Sequence, residues 1–187
     1  MSGLWLLFVL VVWGGVSWLL WQPARAYLAD GAAPRLLRIT VIALAASLWL
    51  GVSFWYGGGR KIYYDAEVNR LCAIDGGAKV YETVMLPANE YEKLVQKNWV
   101  LPDTKRAQPI DKYFVGSDTQ YYRASDPQVA RTITRVIRRS DGKVLGEYVR
   151  YGRGGGDIPG PWHGSSYLCP NPTTSSGFET KIFIKGE

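Results

Sequence analysis

The sequence predicts an α+β protein in which two N-terminal transmembrane helices precede a small, mainly antiparallel β domain. Two long apolar runs, 4–21 and 36–56, open the chain, and Arg38 is the only charged residue in either. From Gly57 onward the composition shifts to Tyr, Arg, Gly and Pro, and both cysteines lie there. Short β-branched and aromatic stretches bounded by Gly and Pro are typical of strands.

Each apolar run is long enough to cross a hydrocarbon core of roughly 30 Å, which takes about 20 helical residues. Within hydrocarbon, only a helix satisfies the hydrogen bonds of its own backbone. We therefore expect Thr40, Ser47 and Ser53 to bond back to the backbone or across to the other helix. Trp13 and Trp18 lie deep in the first run, where interhelical packing and a stacked pigment, quinone or sterol are the alternatives.

A stripe of small residues predicts how the second helix packs. Ala43, Ser47 and Gly51 recur at i, i+4 and i+8 and so share one face. Small residues let helix backbones approach closely in a membrane. The stripe predicts packing of the two helices as a hairpin, and a neighbouring subunit is the alternative partner.

The stretch Ala24-Arg25-Ala26 resembles a signal-peptide cleavage site. However, no Lys or Arg precedes the first run, which is also longer than a usual signal core. Both runs are therefore kept as spans. The connecting loop carries Arg25, Arg35 and Arg38 beside the membrane, so the positive-inside rule places that loop in the cytoplasm and both termini outside.

Cys72 and Cys169 lie near the two ends of the polar part of the chain. An even pair in an exported domain predicts a disulfide. In the chain-entropy model, closing such a loop stabilises by roughly 4 to 5 kcal/mol. Two free thiols in a cytosolic domain are the alternative. The cysteines and His163, the one histidine, are too few for a closed structural zinc site, so no metal is predicted.

A juxtamembrane connector is predicted at 57–70, and the domain itself at 71–187. Residues 61–71 of this region form either a short helix or an extended segment. Residues 78–86 are predicted to form a strand that ends before Pro87, because β-branched and aromatic residues dominate it.

A helix is predicted at 89–98, with Asn89 as its cap and with Leu94 and Val95 facing the core. A loop at 101–110 follows.

Five further strands are predicted around a single core. The Asp141-Gly142 pair supplies the positive φ angles of a tight hairpin turn. The predicted strands are 113–115, 121–122, 129–138, 144–151 and 181–185.

Two segments resemble an uncharacterised family of small proteobacterial membrane proteins. They are LCAIDGGAKVYETV at 71–84 and RRSDGKVLGEYVRYGRGGGDIPGPWHGSSYLCP at 138–170. The resemblance implies a Gram-negative source and an inner-membrane setting. Together with the predicted topology, this puts the C-terminal domain in the periplasm. It implies no activity and no functional residues.

The glycine-rich stretch 152–161 lacks the order of a phosphate-binding loop. Residues 157–162 are predicted to form a rigid loop, because their prolines lower the entropy cost of folding it. Trp162 is expected to plug the core. Asp157, Trp162 and His163 are the candidate residues for a ligand here. A hydrolase using His163 beside Ser165 and Ser166 is the alternative, although no nucleophile turn is present and no catalytic residue is predicted.

Arginines concentrate on the predicted hairpin and its exit, in a chain of net charge +6. They predict contact with anionic lipid headgroups or with an acidic protein surface. The alternative is a solvated strand face with cross-strand pairs such as Arg135 with Glu147. Nucleic acid would require the opposite topology. The six are Arg131, Arg135, Arg138, Arg139, Arg150 and Arg153.

These observations predict a non-catalytic accessory subunit that docks among other inner-membrane proteins and lipids and uses no cofactor. The alternative is a periplasmic ligand-binding or hydrolytic domain that uses the loop near His163.

Overall fold

The computed structural model describes residues 2–29, 31, 34–158, 164–171 and 177–186. The chain forms two compact units. The membrane unit comprises Met1–Arg60 with Gly156–Gly164, and the sheet unit comprises Lys61–Gly155 with Ser165–Glu187. Both are built from segments distant in sequence, because the loop after the last long strand belongs to the membrane unit.

The membrane unit contains the two predicted helices, α1 (Ser2–Ala29) and α2 (Arg35–Phe54), followed by a π-helical turn at Trp55–Gly59. Both helices are long and apolar enough to cross a membrane. The hydroxyl of Thr40 donates to the carbonyl of Leu36 at 2.8 Å, which confirms the predicted back-bonding.

The sheet unit confirms the predicted α+β class. One antiparallel sheet has the order β1-β5-β4-β3, with β6 also paired to β5, and β2 pairs in parallel with β7 in a second sheet. Its elements are α3 (Arg60–Asp75), β1 (Gly77–Val80), β2 (Val84–Leu86), α4 (Ala88–Gln96), β3 (Tyr113–Arg123), β4 (Gln128–Arg138), β5 (Val144–Gly154), β6 (Ser166–Cys169), α5 (Phe178–Ile182) and β7 (Phe183–Lys185).

The predicted hairpin is β4 and β5. Gly142 adopts a φ of +69°, and the backbone N–H of Lys143 donates to the side chain of Asp141 at 3.1 Å. Positive φ is easily accessible to glycine, which is why the Asp-Gly pair marked this turn in the sequence.

Several predicted strands have different bounds. The strand at 78–86 divides into β1 and β2, because the backbone N–H groups of Tyr81 and Glu82 both donate to the carbonyl of Leu145 and the chain then leaves the large sheet. The two short aromatic strands are one strand, β3, since the residues between them also pair with β4. The last predicted strand begins later, because Lys181 and Ile182 end α5.

The predicted helix at 89–98 begins earlier, at Ala88. Asn89 is not its cap. Instead, the carbonyl of Pro87 accepts from the backbone N–H groups of Glu90 and Tyr91 at 3.0 Å each. Leu94 packs on the core as predicted, whereas Val95 is 45% exposed.

Two cores replace the single predicted one, because elements cover both faces of the large sheet. One core, here called the α3 core, contains Val68, Cys72, Val129, Val149 and Tyr151. The other, the α5 core, contains Leu86, Val136, Leu145, Tyr148, Phe178, Ile182 and Phe183.

The predicted disulfide joins Cys72 on α3 to Cys169 on β6, with Cα atoms 6.0 Å apart and a sequence separation of 97. Gly76 lies against it. A Cβ at Gly76 would be 2.5 Å from the carbonyl oxygen of Cys72 and 2.7 Å from its sulfur. Glycine is required here because the carbonyl is backbone and cannot rotate away.

Replacing both Cys72 and Cys169 with Ala should lower the free energy of unfolding by about 4 kcal/mol, because the open chain gains loop entropy. Urea denaturation of the full chain in mild detergent measures this loss. Reductant added to the wild type should reproduce it. An unchanged midpoint in reductant would show that the bridge is not part of the native protein.

A Gly76→Ala substitution should destabilise the sheet unit by about 1 to 3 kcal/mol, because the backbone must shift to accept the new methyl group. Gly154→Ala is the matched control, since a Cβ there meets no atom within 4 Å. Thermal unfolding followed by circular dichroism compares the two. Equal midpoints for both variants would contradict the close approach.

Candidate functional site

Two indole-to-hydroxyl hydrogen bonds join the helices of the membrane unit. The indole N–H of Trp13 donates to the hydroxyl of Ser53 at 3.0 Å, and the indole N–H of Trp49 donates to that of Ser17 at 3.1 Å. Each helix supplies one Trp and one Ser. These bonds satisfy polar groups that hydrocarbon would leave unpaired. The bond between Trp13 and Ser53 therefore explains why Trp13 lies deep in the first helix, and it confirms the interhelical contact expected for Ser53.

The small-residue stripe of α2 lies elsewhere. Ala43, Ser47 and Gly51 are all exposed, and a Cβ at Gly51 would meet no atom within 4 Å. The structure does not place this stripe against α1. It lies about half a turn from Trp49 and Ser53, so the face with small residues is uncovered in the single chain.

The segment after β5 belongs to the membrane unit. The guanidinium of Arg60 donates to the backbone carbonyl of Asp157 at 2.9 Å. Ile158 lines an apolar cavity of about 570 Å³ together with Trp13, Ser53 and Tyr56. Asp157 therefore contributes its backbone to an internal contact, whereas Trp162 and His163 of the predicted ligand loop lie outside the described residues.

The six predicted surface arginines do not form one patch. Arg153 is the clearest exception, since it is only 2% exposed. Its guanidinium donates to the carboxylate of Asp65 at 2.7 Å and to the carbonyl of Ser165 at 2.9 Å, and also to the carbonyl of Gly155. This side chain ties α3 to the chain on both sides of the glycine-rich loop.

Arg131 and Tyr151 both bind the carboxylate of Asp75. The hydroxyl of Tyr151 donates to Asp75 Oδ1 at 2.6 Å, and Arg131 donates to the other oxygen. The hydrogen bond from Tyr151 and then the interactions with Arg131 lower the pKa of Asp75. Burial, followed by the bond to Asp75, raises the pKa of Tyr151. The cluster is therefore a charged anchor between α3 and the sheet.

Other arginines also have internal partners. Arg135 lies opposite Glu147 across β4 and β5, with 3.8 Å between their charged atoms, which is the cross-strand pair that the sequence offered as the alternative. Arg138 binds Glu82 at 2.5 Å, and Arg139 donates to the carbonyl of Asp111 at 2.8 Å.

Arg150 lies on the opposite face of the sheet from Arg131, Arg135 and Arg153, because side chains alternate along a strand. There it borders an open groove, here called the sheet groove, beyond the end of the α5 core. Its floor consists of three rows of residues that are paired across neighbouring strands. The rows are Ser117-Thr134-Tyr148, Thr119-Thr132-Arg150 and Tyr121-Ala130-Gly152-Leu168.

The sheet groove has two adjacent compartments of about 300 Å³ and 340 Å³, which share Thr132, Arg150 and Leu168. Thr134, Tyr148, Phe178 and Glu179 line the inner one. Tyr121, Gln128, Ala130 and Gly152 are among the residues that line the outer one.

The sheet groove is a candidate site that the sequence reasoning missed. Its signal was the spacing of Thr132 and Thr134 on β4, because residues two positions apart on a strand lie on the same face. Arg150 was counted with the other arginines because they are close in sequence. Only the strand register separates it from them.

No family model matches this chain, and no curated protein or solved structure was found to match it. Within the described ranges, no group of three or more His, Cys, Asp or Glu side chains is arranged to hold a metal ion. The resemblance to a proteobacterial membrane family therefore stays a prediction.

Replacing Asp75 with Asn should reduce the loss of stability in acid. The pKa of the Asp75 carboxyl is lower in the folded chain than in the unfolded chain, where it is about 3.9. This difference stabilises the fold at pH values above the unfolded-state pKa, and the stabilisation is lost as the pH falls through the folded-state pKa. Urea titrations between pH 5 and pH 2 measure the slope. Asp118→Asn, on the exposed part of β3, is the control. Parallel pH profiles for wild type and Asp75→Asn would contradict the effect.

Proposed function

We propose that this chain is a non-catalytic interaction subunit of the bacterial inner membrane, with its sheet unit in the periplasm against a membrane-protein assembly. The observation that carries the proposal is the uncovered stripe of Ala43, Ser47 and Gly51. A helix whose small residues are not used by its own hairpin partner offers a face for close approach of another helix.

The hairpin does not need that face. Its indole-to-hydroxyl bonds lie on the other side of α2, where Trp49 and Ser53 meet α1. A second helix can therefore pack on the stripe without breaking the hairpin. In membranes such packing depends on van der Waals contact, which small residues improve by bringing backbones together.

The sheet unit also favours an interaction role over hydrolysis. Asp75 and Glu82 are carboxylates on which a hydrolase could draw, but both bind cations within the unit. Hydrogen bonding and charge from Lys143 and Arg138 lower the pKa of Glu82, as Tyr151 and Arg131 do for Asp75. Carboxyls held ionised in this way are poor proton donors at neutral pH.

The bridge supports the proposed compartment. A disulfide between Cys72 and Cys169 persists where the surroundings are oxidising, as in the periplasm. That location agrees with a cytoplasmic loop between α1 and α2, because Arg25, Arg35 and Arg38 lie in the ends of the helices that flank this loop. Arg38 of α2 donates to the carbonyl of Leu28 of α1 at 2.6 Å.

The double substitution Ala43→Leu with Gly51→Leu should remove bound membrane subunits, because the added side chains prevent close helix contact. The tagged chain is purified from native membranes in mild detergent, and proteins retained at stoichiometric levels are quantified by mass spectrometry. Val41→Leu is the control, since Val41 is also exposed on α2 but lies off the stripe.

We expect the wild type and the control to retain the same set of subunits and the double variant to lose it. A wild-type chain that purifies as a monomer would contradict the proposal. Retention of the same subunits by the double variant would exclude the stripe as the contact.

A further inference from the structure

We propose that the sheet groove binds a saccharide, that is, an uncharged polyhydroxylated ligand of one or two sugar rings. This inference is independent of the interaction role and concerns the opposite face of the sheet from α3. It rests on a buried hydroxyl, on the mixture of charges and on the shape of the groove.

The hydroxyl of Tyr148 is the first observation. Tyr148 is 7% exposed, and its oxygen is buried without a hydrogen-bond partner within the described part of the chain. Buried polar groups are nearly always paired, because an unpaired one loses its water without compensation. Tyr148 lines the inner compartment, although its hydroxyl itself has almost no accessible surface. A ligand oxygen bound there supplies the missing partner when a neighbouring side chain moves aside.

The charges of the inner compartment select against a charged ligand. Arg150 and Glu179 both line it. Arg150 would attract an anion and Glu179 would repel it. A cation would be repelled by Arg150 and attracted by Glu179. A hydroxyl suits both, since it accepts from a guanidinium and donates to a carboxylate. Thr132 and Thr134 add hydroxyls that donate and accept in the same way.

The shape and the apolar lining of the sheet groove also suit a sugar ring. Ala130 and Gly152 leave space on the floor in the row next to Leu168, and the Leu168 side chain lies over Gly152, since a Cβ there would come within 2.8 Å of Leu168 Cδ2. Leu168 and Phe178 provide apolar surface, and Tyr121 adds a ring that is 55% exposed. Sugar rings present C–H surfaces that pack on such groups while their hydroxyls bind the polar floor.

A free saccharide and a segment of a glycan polymer share this chemistry. The two adjacent compartments, of about 300 Å³ and 340 Å³, have room for successive rings. The ligand source is therefore decided by comparing short and long probes.

The full chain is purified in lauryldimethylamine oxide, because maltoside detergents would compete for the groove. Cellobiose, the disaccharide of N-acetylglucosamine and longer soluble fragments of cellulose and chitin are then titrated by saturation-transfer NMR. Tyr148→Phe should weaken binding about tenfold, the usual value of a well-formed hydrogen bond. It should not lower the unfolding midpoint, since it removes an unpaired hydroxyl.

Thr134→Val is a second variant that keeps the side-chain shape, and Thr83→Val is the matched control at an exposed position outside the groove. Equal affinity for disaccharides and fragments identifies a free saccharide, and binding of fragments alone identifies a polymer. Absence of binding by every probe overturns the proposal. Unchanged affinity in both Tyr148→Phe and Thr134→Val also overturns it.

Discussion

Side-chain alternation along β5 is the constraint on which the sheet unit depends. This strand pairs with β4 on one side and with β1 and β6 on the other. Its odd-numbered residues Val149, Tyr151 and Arg153 meet α3, whereas Tyr148 and Arg150 face the other way. A shift of one residue in register would exchange the two sets and bury the wrong side chains.

The α3 face combines apolar packing with charge pairing. Val68 and Cys72 fill the space over the sheet, and Asp65 and Asp75 on the same helix bind arginines of β5 and β4. Breaking such a pair by removing one partner leaves the other charge uncompensated, so the pairs specify where α3 sits. The disulfide adds a covalent link between that helix and β6.

The opposite face is only partly covered. Phe178 and Ile182 of α5 close one end of it over Val136 and Tyr148, and the other end is the sheet groove. A face that is packed at one end and polar at the other combines a rigid floor with an accessible surface. The membrane unit shows a similar division, since one side of α2 binds α1 and the side with Ala43 and Gly51 is open.

The sequence by itself determined the class of the fold, the two membrane-length helices, the β4–β5 hairpin and the pairing of Cys72 with Cys169. These follow from local signals: continuous hydrophobicity, the Asp141-Gly142 turn and an even number of cysteines. The extent of β3 and the division of 78–86 between two sheets depended on pairing with distant strands, which propensity does not reveal.

Tertiary structure alone decided the roles of the arginines. Arg150 and Arg153 are three positions apart, yet Arg153 is buried against Asp65 and Arg150 lines the groove. The period of two assigns them to opposite faces, but which face is covered depends on where α3 and α5 pack. The same reason hid the sheet groove, because its three rows come from four strands that only the fold brings side by side.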